Sequence, residues 1–190
     1  MLKLRALAEA KAKAKAQEEA GVKGNSEHPS HAAKPALLRL QKDLDNIDLP
    51  KEILEYTTHL NETPMRVNLS LKPDIGYYAG GTYYFNLFVK DTYPMEPPVV
   101  KCMQRIYHPN IDIDGNVCLN LLREDWTPAL DLQSIVIGLL FLFHEPNGKD
   151  PLNQDAAKTL MEDPSRFEAK LNYTLRGSNI DGVWYDKVMN

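Results

Sequence analysis

At 190 residues, with 43% hydrophobic and 25% charged side chains, the chain has the composition of a globular domain large enough to bury a core without staples. Two cysteines, Cys102 and Cys118, argue against a disulfide scaffold and a four-ligand zinc site, and reduced thiols point to cytosol or nucleus. Residues 1–35 hold seven Lys/Arg and four Asp/Glu for a net of +3, so with the whole chain at −4 the remainder carries −7. A basic tail on an acidic body argues against general nucleic-acid binding, and no apolar run approaches the ~20 residues of a membrane span.

The first seven residues, MLKLRAL, place three leucines at a polar end, a small patch suited to a partner groove. Residues 8–20 are Ala, Lys, Glu and Gln with no apolar face, so they predict partial helix. Residues 21–35 collect Gly, Asn, Ser and Pro and read as a linker. The domain division is therefore a flexible docking extension over 1–35 and a folded core over 36–190. A helix opens at Pro35, with Leu37, Leu40, Leu44 and Ile47 at helical spacing, and stops at Leu49-Pro50. A strand is predicted over 52–60, and strict alternation from Met65 to Lys72 predicts a second, half-buried one. Residues 82–90 make an aromatic third strand, and Val99 to Met103 a fourth, with Cys102 read as core. The three prolines of Tyr93–Pro98 impose a stiff exposed loop between them.

Beyond the cysteine stretch YHPNIDIDGNVCLN, residues 107–120, comes a second stiff loop, Trp126-Thr127-Pro128-Ala129. Asp131 caps a helix over 132–143 that is apolar nearly all round and should be central to the core. Asn153 caps a short helix to about Glu162. Asp163-Pro164 opens another, which Gly177 should close. The end, GVWYDKVMN, is read as one more helical turn. The fold class is α+β: an N-terminal helix, a four-stranded antiparallel meander, then C-terminal helices.

Cys118 lies just past the Gly115-Asn116 turn, on a segment between the sheet and the helical half. Asn110 offers an amide donor and Asp150, in the loop EPNGKDPLN, a carboxylate; together they make a possible acyl-transfer constellation. His108 is the nearest basic group, but it precedes a proline and reads as a structural hydrogen bonder. A thiol without a dedicated base still accepts an acyl group that arrives activated, because thiol-to-thiol exchange is nearly energy-neutral and needs mainly positioning. The bland alternative is that Cys118 fills a core and Asp150 caps a turn.

The segment His108-Pro109-Asn110, seven residues, then Cys118-Leu119 resembles the active-site signature of ubiquitin-conjugating enzymes. The YPMEPP loop, Trp126-Thr127-Pro128-Ala129, and Glu145-Pro146-Asn147 before Asp150-Pro151-Leu152 agree in order and spacing. The resemblance covers about residues 36–190. It implies the ubiquitin-conjugating fold, with Cys118 carrying a modifier's C-terminus as a thioester. It further implies that Asn110 stabilises the oxyanion or holds the local loop, and that Asp150 orients the incoming lysine amine. Met95, Pro128 and Ala129 would meet a RING-type ligase. NLLREDW at 120–126 and the MLKLRAL start look like the neddylation branch of the family. That branch implies a ubiquitin-like modifier, a heterodimeric ATP-binding activating enzyme, a Dcn-type co-ligase that takes an acetylated Met1 with Leu2 and Leu4 as anchors, cullin acceptors, and a cytoplasmic and nuclear location. No cofactor, metal, nucleic acid or membrane is implied. Ordinary ubiquitin transfer, and a non-catalytic module that binds a ubiquitin-like protein, are the alternatives. Three residues depart from the family pattern: Gly148 for a common proline, Ile75 for an acidic residue and His144 for an apolar one. The first predicts a looser Asp150 loop.

Overall fold

A computed structural model of the chain describes residues 34–189. The expectations for Met1, Leu2, Leu4, the partial helix over 8–20 and most of the linker lie outside those residues. Pro35 occupies the first turn of helix α1, Pro35–Asn46, where its missing N–H costs nothing. The chain then runs through β1 (Ile53–His59), β2 (Met65–Leu71), β3 (Tyr83–Val89) and β4 (Val99–Cys102). These pair antiparallel in the order β1-β2-β3-β4. Helices α2 (Leu132–His144), α3 (Gln154–Glu162) and α4 (Pro164–Thr174) follow.

Period-two alternation decides which sheet face is buried. Met65, Val67, Leu69 and Leu71 of β2 are buried, as are Tyr83, Phe85, Leu87 and Val89 of β3. Helix α2 covers this face with Leu132, Ile135, Val136, Leu139, Leu140 and Phe143. Each such side chain contributes roughly 1.5–3 kcal/mol by leaving water. Asp131 caps α2 by accepting from the Ser134 amide at 2.9 Å, which is worth about 1 kcal/mol. Although α2 is apolar nearly all round, it is not buried all round: Ile137 and Phe141, one turn apart, are 49% and 56% exposed.

The C-terminal end departs from the sequence reading. No helical turn forms there. Residues Arg176–Ile180 (β5) and Val183–Lys187 (β6) instead pair as an antiparallel hairpin. Its two-residue turn, Asp181-Gly182, has positive φ at both positions (51° and 86°), the geometry that Asp-Gly favours in hairpins. Gly177 lies inside β5, and α4 ends at Thr174 with Leu175 as its cap. The hairpin is tied to the body where the Asp186 amide donates to the Arg105 carbonyl at 2.9 Å.

Candidate active site

The cysteine stretch hangs from the sheet by a few backbone bonds. Cys102 at the end of β4 donates its amide to the Gly115 carbonyl at 2.8 Å. Gly115 has φ +76°, and a Cβ there would run into the Cys102 carbonyl oxygen, so only glycine fits this approach. Two residues on, Val117 bridges back to Ile111, and the Cys118 amide donates to the Asn110 carbonyl at 2.8 Å. The HPN turn and Cys118 are therefore fixed to each other by backbone.

His108 is fully buried and stacks on Tyr78, with ring centroids 4.7 Å apart. Its Nδ1 accepts from the Asn110 amide at 2.9 Å, so the proton sits on Nε2, which donates to the Leu142 carbonyl at 3.1 Å. Burial pushes the ring's pKa down to about 3. A neutral imidazole with both nitrogens engaged serves as a strut joining the HPN turn to α2, not as a base for the thiol.

Asn110 reaches the other way. Its amide nitrogen donates to the carbonyls of Asn147 (2.8 Å) and Asp150 (3.3 Å), and its oxygen accepts from the Asn147 amide at 2.8 Å. The Pro109 carbonyl also accepts from the Leu152 and Asn153 amides. The loop between α2 and α3 is thus pinned to the HPN turn at both ends. Gly148 draws the loop close to α3, where a Cβ would come within 2.7 Å of Met161 Cγ.

Pinned this way, Asp150 lies over the cysteine. The Cys118 thiol donates to Asp150 Oδ2 at 3.2 Å, and Arg123 Nη1 stands 3.8 Å from that same oxygen. Cys118 is only 4% exposed, yet the carboxylate its thiol meets belongs to a side chain that is itself 62% exposed. The thiol's pKa is raised, first by burial and then by the hydrogen bond to the Asp150 carboxylate, while Arg123 pulls it back. The structure therefore brings Cys118, Asn110 and Asp150 into one network. Its chemistry is that of a protonated thiol with a carboxylate at hand and no strong base among the described residues, fit for exchange with an activated acyl group.

The family model described as ubiquitin-conjugating enzyme matches residues 39–175. The chain belongs to the ubiquitin-conjugating enzyme family. It is similar over its full length to the NEDD8-conjugating enzyme UBC12 of Kluyveromyces lactis, with 75% identity over 189 residues and complete coverage of both chains. It is also similar to the NEDD8-conjugating enzyme UBC12 of Eremothecium gossypii, 52% identical over 157 residues, 83% of this chain and 85% of that one. The solved structure of S. cerevisiae Ubc12 superimposes with a TM-score of 0.79 at 43% identity, covering 99% of each chain.

In this conjugating enzyme the two stiff loops stand on a frame that the sequence did not reveal. Met95 is 73% exposed, and Pro128 and Ala129 are exposed too. Beneath them Arg39 of α1 donates to the Pro128 and Leu130 carbonyls (2.7 and 2.6 Å) and, through Nε, to Asp43 at 2.8 Å. Buried Asp43 in turn accepts from the Tyr93 hydroxyl. Trp126 Nε1 closes the frame by donating to the Pro94 carbonyl at 2.8 Å. The Arg39-to-Asp43 spacing of four residues was a visible signal for a helical ion pair; its reach to loops some 90 residues away was not. Arg123, five residues after Cys118, enters the sequence reading only as part of NLLREDW, with no role at the site assigned to it.

Proposed function

We propose that the chain accepts a NEDD8-type modifier from its activating enzyme as a Cys118 thioester and passes it to lysines of cullin substrates. The observation that carries this reading is the thiol held against a carboxylate, with no histidine or lysine in contact with it among the described residues, in a chain so similar to enzymes named for NEDD8 conjugation. In loading, the Cys118 sulfur attacks the carbonyl of the activating enzyme's thioester. One C–S bond forms as another breaks, and the released thiolate takes up the proton. In discharge, the lysine nitrogen attacks the same carbonyl, a C–N bond forms, and Cys118 leaves as thiolate while the amine loses its proton.

Asp150 orients that amine and stands where it can take the proton. Asn110 holds the loop that carries Asp150, since its amide is spent on the Asn147 and Asp150 carbonyls. Met95, Pro128 and Ala129 present a rigid face to a RING-type ligase. Met1, Leu2 and Leu4 serve the activating enzyme and a Dcn-type co-ligase, in the cytoplasm and nucleus. Loading reactions with the NEDD8 and the ubiquitin activating enzymes, read on a non-reducing gel, test the reading. A reducible adduct with NEDD8, lost in Cys118→Ala, is expected; an adduct that survives that substitution, or charging by ubiquitin alone, defeats it.

A second reading, a non-catalytic module that binds a ubiquitin-like protein, is favoured by one observation, the 4% exposure of Cys118. It requires a native thiol that resists iodoacetamide as long as the fold persists. The carboxylate against the thiol belongs to an exposed side chain, so alkylation well before unfolding is the expected result.

A further inference from the structure

An open cleft of about 270 Å3 runs between the cysteine stretch and the C-terminal hairpin. Asp112 and Ile113 line one side, and Ile180, Asp181, Val183 and Tyr185 line the other. Leu152 closes one end of it. That residue is two positions from Asp150, so the cleft begins within about 7 Å of backbone from the carboxylate that meets Cys118. Ile113 is exposed, and Ile180 and Val183 are half-buried, which leaves apolar surface in water for a partner to cover.

Charge narrows the choice of partner. Asp112, Asp155 and Asp181 line the cleft, and among the described residues no lysine or arginine does. Lys170 pairs with Asp155 at 2.8 Å and stands 4.0 Å from Asp181, so three carboxylates less one ammonium leave a net of −2. Asp112 accepts from the Asp114 and Asn116 amides, which holds its carboxylate still and leaves its charge in place. A second cleft shares Asp112 and Leu152 with this one but mixes Lys90 and Arg123 with its acids. The hairpin side alone is uniformly acidic.

We infer that this hairpin-walled cleft docks the acceptor protein through a segment that sets an aliphatic side chain between Ile113 and Val183 and an arginine or lysine against Asp112 and Asp181. The inference rests on the reading of Cys118 as a modifier carrier. The docked segment presents a neighbouring lysine to the thioester, and the chemistry of discharge is unchanged. Docking raises the local concentration of that lysine, which free lysine in solution cannot match.

The test charges the full chain with NEDD8 and follows discharge to synthetic peptides with one lysine each. One flanks the lysine with leucine and arginine, a second replaces the leucine by serine, and a third replaces the arginine by glutamate. The first should half-saturate at about ten-fold lower concentration than the third. Asp181→Asn, which tolerates the positive φ of its turn, should raise that concentration about three-fold for the arginine peptide alone. Ile113→Ala should raise it about five-fold for the leucine peptides and leave the serine peptide where it was. Maximum rates should hold in both variants. Equal use of the three peptides, a preference that survives both substitutions, or a fall in maximum rate without a shift in half-saturation overturns the inference and leaves the carrier reading intact. No thioester at all defeats the carrier reading itself.

Discussion

Cys102 and Cys118 make a controlled comparison within one molecule. Both are buried by area, at 5% and 4% exposed, so exposure does not separate them. What covers them does. Cys102 ends β4 inside the core, donates to the Gln104 carbonyl at 3.3 Å, and has its pKa pushed up to about 12 by burial. Cys118 donates to a carboxylate on an exposed loop, with an arginine beside it. One thiol is packed within the hydrophobic core cluster, whereas the other lies outside that cluster and meets an exposed carboxylate. Burial of a nucleophile argues against function only when its cover belongs to the core.

The sharpest way to break this contrast is to truncate each cysteine in turn. Cys118→Ala should abolish the thioester completely and barely change stability. Cys102→Ala should load normally but lose roughly 1–2 kcal/mol of unfolding free energy through its small core cavity, read from urea midpoints. The reverse pattern would mean that the chemistry had been placed on the wrong sulfur.

Next in size is the cover itself. Asp150→Ala should slow discharge to free lysine about 100-fold, the lower range for losing a general acid–base group. Loading uses no amine and should change far less. The same substitution removes the hydrogen bond and the negative charge that hold the thiol protonated, so native alkylation of Cys118 should speed up and shift to lower pH, with Cys102 still inert. Equal slowing of both half-reactions, or unchanged alkylation, would show that the carboxylate neither covers the thiol nor serves the amine.

Legibility in the sequence follows the same divide between core and shelf. The meander was readable because alternation over Met65 to Lys72 leaves one buried face, and α2 because a largely apolar run over 132–143 with an Asp131 cap leaves few alternatives. The C-terminal hairpin was missed although its signal was there: Asp181-Gly182 between Ile180 and Val183 is hairpin chemistry, overlooked beside the helical run before it. At the site, the motif spacing pointed to Cys118, Asn110 and Asp150 as a group. It could not show that Cys118 and Asp150, 32 positions apart, share a hydrogen bond, or that Asn110 spends its amide on the loop. Those facts depend on how α2 returns the chain, which no local pattern encodes. Gly148, expected to loosen the loop, also sits where a Cβ would come within 2.7 Å of Met161 Cγ.

His108 extends the core side of the comparison to pH. Its folded pKa of about 3 lies below the ordinary 6.5, so between those values the unfolded chain takes a proton that the folded chain refuses. The stability this residue contributes is complete above pH ~6.5 and drains as pH falls toward 3. Between pH 7 and 5 the loss should be about 2 kcal/mol. His108→Gln retains a donor and an acceptor but does not titrate, so its urea midpoint should fall less over that interval. Identical slopes for the two proteins would mean that the imidazole is not held neutral in the core.

The smallest effect belongs to Arg123, on the shelf side. Its guanidinium is 3.8 Å from Asp150 Oδ2, and both side chains are largely exposed, so as an ion pair it contributes little to folding, at most about 1 kcal/mol. Its position matters more than its strength. Once Cys118 carries a modifier, the thiol proton that contacts Asp150 is gone, and Arg123 is the remaining polar partner of that carboxylate's side chain among the described residues. Arg123→Gln should therefore leave stability unchanged and slow discharge roughly two- to five-fold, with Lys at this position restoring part of the rate. If Arg123 acts through Asp150, the substitution should have no further effect in an Asp150→Ala background. Losses that simply add would place the arginine on the modifier or the acceptor, and leave Asp150 to find its own position.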